Sequence, residues 1–113
     1  MGTTYNAKVF FGAWVPASDS FASILADYHD RAGGTPAETD IEGVVIDIAG
    51  DNWNMIYTIE AEGSARSFER GDDIETPTLL SEDPKWRPAI MAFLEKHGDT
   101  HFNVGWHFAA SAF

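Results

Sequence analysis

Three carboxylates sit where their spacing could give them chemistry. Glu60 and Glu62 are two residues apart, so an extended chain places both on one face, the arrangement of a paired acid and base. Asp47 is expected to face Asn54 across a hairpin, flanked by Val45 and Ile56, where partial desolvation would raise its pKa as it does in catalytic acids. Asp47, Glu60 and Glu62 are therefore the candidates for a catalytic role. Their weight is reduced by numbers: with 18 Asp and Glu in 113 residues, such pairs arise on any solvated sheet face.

Other chemistries find less support. The chain has no cysteine, which excludes thiolate catalysis, disulfides and zinc–sulfur sites. His101 and His107 share a face of the last expected strand, but at about 3.3 Å per residue they stand roughly 20 Å apart, too far to share an ion. His29 and His97 fall near helix ends, where a cation suits the macrodipole. No metal site and no cofactor are expected. Gly63-Ser64 is not part of a G-x-S-x-G elbow, and no phosphate-binding glycine loop occurs. Arg70-Gly71-Asp72 spells an integrin-type tripeptide but has neither a secretion signal nor a disulfide scaffold around it.

Charge is the most distinctive property. The net charge is −11, and residues 38–83 hold all of it, with thirteen acids against Arg66 and Arg70. The remainder is neutral. Such a field repels nucleic acid and anionic membrane and attracts basic surfaces. No apolar stretch is long enough to span a bilayer, and the chain reads as one soluble, cytoplasmic domain over residues 1–113.

These residues need elements to position them. Tyr5–Val15 alternates as an interior strand. Ser18–Ala32 reads as a helix, capped by Ser18 or Asp19 and stopped by Gly33. Ile41–Ile59 reads as a hairpin. A two-residue turn at Gly50-Asp51 would place Ile48 opposite Trp53, Ile46 opposite Met55 and Val44 opposite Tyr57. Ser64–Arg70 adds a weak strand, and 71–82 is an acidic loop. A helix runs from about Pro84 to His97, begun by Asp83 and stopped by Gly98. His101–Phe113 is a last strand with Phe102, Val104, Trp106, Phe108 and Ala110 facing inward. The order β-α-β-β-(β)-α-β predicts an α+β, two-layer sandwich. Its mostly antiparallel sheet has four to five strands, both helices lie on one face, and the other face is largely open.

On that open face Phe10, Trp14, Val45 and Ile56 would form an apolar patch rimmed by carboxylates, the kind of surface that marks an interface. The function that follows is an acidic interaction module binding a basic surface on a partner protein. In its sharper form it is a nucleic-acid mimic that inhibits a DNA- or RNA-binding enzyme, as a phage-encoded anti-defence inhibitor would. The expected contact residues are Glu42, Asp47, Asp51, Glu60, Glu62, Asp72, Asp73, Phe10 and Trp14. A homodimer through the open face is a further expectation. Direct binding of nucleic acid or membrane is not expected. The alternative is a small enzyme or small-molecule binder that uses the sheet carboxylates.

Overall fold

The computed structural model describes residues 5–33, 36–51, 55–69, 82–98 and 101–112. Along the chain these form β1 (Tyr5–Pro16), α1 (Ala22–Arg31), β2 (Ala37–Glu38), β3 (Val44–Asp51), β4 (Met55–Ala61), β5 (Arg66–Glu69), α2 (Trp86–Lys96) and β6 (Gly105–Ala112). This is the expected α+β order, with the two-residue β2 added ahead of the hairpin.

The long strand β1 organises the sheet because it has more residues than any one neighbour can pair. Gly12 pairs with Glu60 of β4 on one edge and with Gly105 of β6 on the other. Asn6–Val9 pairs with Glu69–Arg66 of β5 while β6 also runs alongside, so β4 and β5 lie end to end on a single edge. At their junction the buried Ser64 hydroxyl takes a hydrogen bond from the Phe11 amide at 3.1 Å and donates to the Ala61 carbonyl at 2.6 Å. Gly12 is required here by close approach: a Cβ would land on the Ile59 carbonyl oxygen of the neighbouring strand. Beyond β4 come β3 and then β2. Finally β6 pairs parallel with β3 at Gly50–Ser111 and Asp51–Ala112. That contact bends the otherwise antiparallel sheet until its last strand meets its third at one corner.

Both helices pack on one face. Phe21, Ala22 and Leu25 from the α1 segment and Ile90, Phe93 and Leu94 from α2 close over Phe11, Ala13, Val15, Val44, Ile46, Ile59 and Ala61, all buried. Each large side chain so removed from water contributes about 1.5–3 kcal/mol. Gly33 and Gly98, at φ +68° and +76°, supply the left-handed stops after the two helices. The helices begin later than expected. Asp19 accepts the Phe21 amide at 2.9 Å and Asp83 accepts the Lys85 amide at 2.9 Å, so each acid caps a turn that precedes the regular helix.

Three expectations are corrected. The hairpin pairs Val44 with Ala61, Ile46 with Ile59, Ile48 with Tyr57 and Gly50 with Met55, four residues away from the tight-turn register. An even slip leaves every side chain on its face, so apolar alternation could not distinguish the two registers; the observed one forms a longer ladder. Gly50, at φ +99°, lies inside β3 opposite Met55 and does not open a two-residue turn; Trp53 lies outside the described residues. The second face is not largely open. The bend buries Phe10 and Ala49 completely, with Ala109 at 8% exposure, and Ile56 packs against them. Phe108 does not face the core. It is 65% exposed, because the helical layer reaches β6 at Trp106, where Trp86 stacks edge-on at 5.6 Å, and Phe108 lies beyond it.

Candidate functional site

The concave face carries a charged network built from three strands. Lys8 is the one charged residue of β1, and a lone ammonium on an apolar interior strand must find a partner. Its Nζ lies 2.7 Å from Asp47 Oδ2 on β3 and 2.5 Å from Glu60 Oε2 on β4. The buried Thr58 hydroxyl donates to the same Glu60 oxygen. Register explains the convergence: Asp47 pairs with Thr58 and Val45 with Glu60, so these side chains project from neighbouring rungs on the face that Lys8 occupies. The Glu60 side chain is only 3% exposed, against 13% for Lys8 and 21% for Asp47. Burial pushes the Glu60 carboxyl above the usual range. Lys8 and the Thr58 hydroxyl pull it partly back, and the nearby Asp47 charge adds to the rise.

Thus two of the three catalytic candidates meet, but not the two that spacing suggested. Glu62 lies past the end of β4 in the following turn, exposed, while Glu60 points inward, so they are not a pair. The β3–β4 register brings Asp47 and Glu60 to neighbouring rungs, and Lys8 joins them from 39 or more residues away in the chain. The available sequence signal was Lys8 itself.

Glu62 belongs to a different site. The Glu62 amide donates to the Gly43 carbonyl at 2.8 Å, which extends the β3–β4 ladder by one rung and sets the Glu42 and Glu62 turns side by side. Gly43 and Gly63, both at φ +86°, make those turns possible. The start of α2 completes the surroundings. Glu42, Gly43, Glu62, Asp83, Lys85, Trp86 and Ala89 line a cleft of about 500 Å³. Trp86 is held there by Phe11 at 5.7 Å and Trp106 at 5.6 Å. Three carboxylates and one lysine thus surround an indole.

A second cleft of about 310 Å³ lies on the concave side, lined by Trp14, Pro16, Asp19, His101, Phe102, Asn103 and His107. Trp14 is exposed at 43%, whereas Phe10 and Glu60, both expected as contact residues, are buried and cannot meet a partner. The two histidines, expected far apart on one strand, line this cleft together because β6 begins only at Gly105 and His101 stacks on Phe102 at 4.3 Å. Even so, among the described residues no three His, Asp or Glu side chains converge as metal ligands. The Asp51 side chain, Asp72, Asp73 and the Arg70-Gly71-Asp72 tripeptide lie outside the described set.

No family model, curated protein or solved structure matches the chain. Its chemistry is therefore argued from its own side chains. No helix among the described residues is long and apolar enough to cross a membrane.

Proposed function

We propose that the protein is an acidic interaction module that binds a basic segment of a partner protein at the Glu42–Glu62–Asp83 cleft. The observation that carries this reading is the convergence of three carboxylates from three separate turns around Trp86. A lysine or arginine side chain entering such a cleft gains charge-assisted hydrogen bonds and an aromatic face together. The chain's charge of −11 draws such a partner in from a distance. The absence of cysteine agrees with a reducing, cytoplasmic setting. Mimicry of nucleic acid would need carboxylates strung along a surface as phosphates are. Glu42, Glu62 and Asp83 gather into one cleft and Asp47 and Glu60 into one inward ion network, which supports the broader basic-partner form.

The enzyme reading rests on Asp47 and Glu60 flanking Lys8, with burial pushing the Glu60 carboxyl above its usual range. It is the weaker of the two, since neither cleft described above is lined by any of these three residues.

The test compares two charge reversals. Glu42→Lys/Glu62→Lys alters the cleft, and Asp27→Lys/Asp30→Lys alters two exposed acids of α1 by the same net charge. Affinity for a fluorescein-labelled deca-arginine peptide is measured across a salt series. The cleft reversal is expected to weaken binding more, and binding is expected to fall with salt as the Debye length shortens. Equal losses for the two double variants would reduce the interaction to a diffuse field and overturn the site.

A further inference from the structure

We propose that β6 is a self-association edge: two copies of the chain pair antiparallel along residues 105–110, each covering the other's Phe108. All eight residues of β6 are paired to β1 on one edge. On its outer edge β3 takes only Ser111 and Ala112, and among the described residues nothing pairs with 105–110. Edge strands normally carry protection against strand addition, such as a charge, a proline or very short length. This one has none: residues 101–113 contain no Asp, Glu, Lys, Arg or Pro. Phe108, on that strand, is 65% exposed and is the most exposed large apolar side chain described.

Charge identifies the occupant. Two copies carrying −11 each repel wherever their acidic segments approach, and residues 105–110, uncharged and with an unpaired outer edge among the described residues, admit a like-charged molecule. A basic partner gains nothing from this uncharged edge. An antiparallel strand pair is also self-complementary about a two-fold axis, because each copy offers the same alternating donors and acceptors. The concave face is the poorer surface for a dimer, since Phe10 and Ala109 are already buried and Lys8, Asp47 and Glu60 occupy its floor. One strand edge and one phenylalanine per copy make a small interface, below about 1,200 Å², so the equilibrium is weak and concentration-dependent.

Self-association and basic-partner binding respond to salt with opposite signs, which keeps the two proposals separable. Salt screens the repulsion between copies and strengthens the dimer, while it weakens attraction to a basic peptide. Sedimentation velocity from low micromolar to near-millimolar concentration, at low and high salt, is expected to show the mass rising from 12.4 kDa toward twice that value, and rising sooner at high salt. Phe108→Lys is expected to remain monomeric throughout with an unchanged melting temperature, and Trp14→Ser, at the other exposed aromatic, is expected to associate like the parent. Amide exchange at residues 105–109 of the unaltered chain should slow with concentration. A mass fixed at 12.4 kDa at every concentration and salt would overturn the proposal. So would association that survives Phe108→Lys or is abolished by Trp14→Ser, or amides at 105–109 whose exchange ignores concentration.

Discussion

Replacing Lys8 by Met tests the inward ion network directly. At 2.5 and 2.7 Å from its two carboxylate oxygens, the ammonium interacts with each by about 6 kcal/mol at an effective dielectric near 20. Desolvation of three charges offsets most of that. The asymmetry lies in removing one partner alone: Glu60, 3% exposed, would keep its charge with no cation beside it and Asp47 close by. Loss of one member of a buried pair costs about 3–5 kcal/mol, the expected deficit of Lys8→Met at pH 7 in denaturant titration. The deficit should shrink toward pH 4. The folded-state pKa of Glu60 is raised above its unfolded value, so its contribution is fully present below about 4.5 and is lost as pH rises through the folded value. Protonated Glu60 needs no cation. Lys8→Met/Glu60→Gln should therefore recover much of the loss at pH 7 and titrate less. A deficit under about 1 kcal/mol, or one equal at pH 4 and pH 7, would refute the reasoning.

The remaining predictions concern separate elements. Burial, helped by Lys96, pushes the His97 imidazole below its usual 6.5, so its contribution is present above that value and lost as pH falls; His97→Phe should flatten the melting temperature between pH 7 and 5. Gly12→Ala should cost at least about 3 kcal/mol by urea unfolding, since its Cβ meets the Ile59 carbonyl and both strands are fixed. Gly50→Val, at φ +99°, should cost on the order of 1 kcal/mol or more; an unchanged midpoint would contradict the positive φ. Ile46→Ala, fully buried, and Trp106→Ala, packed on Phe11 and Trp86, should each cost roughly 2–5 kcal/mol, read from the same titration.

The elements were legible where local pattern decides them. Alternation located β1, β3 and β4, and Gly33 and Gly98 marked both helix ends. Faces were legible for the same reason, since Val44, Ile46, Tyr57 and Ile59 do share one side. What local pattern could not carry was anything even-numbered or long-range. A four-residue slip preserves the alternation, so the register was open to error. The bend that buries Phe10 depends on two rungs between β3 and β6, far apart in sequence. For the same reason Glu60 was paired with its neighbour Glu62, whereas its partners are Lys8, Thr58 and Asp47. The cleft around Trp86 gathers residues from three turns that no spacing rule links.

The edge of β1 that pairs with β6 also bears on how the chain comes into being. β1 is synthesised before the other described strands, yet Tyr5 waits for Ala112 and Phe10 for His107 before its second edge closes. At roughly 5–20 residues per second, that wait is on the order of ten seconds on the ribosome. Through it, adjacent phenylalanines at 10 and 11 lie in a strand with half its partners unmade. The β3–β4 hairpin, whose strands are neighbours in sequence, forms long before. The pairing of β1 is therefore completed only when β6 slides in beside it, and a nascent chain halted before residue 105 would display β1 with one edge bare. Such a stalled chain is the species on which a chaperone, or another nascent copy, would find its purchase.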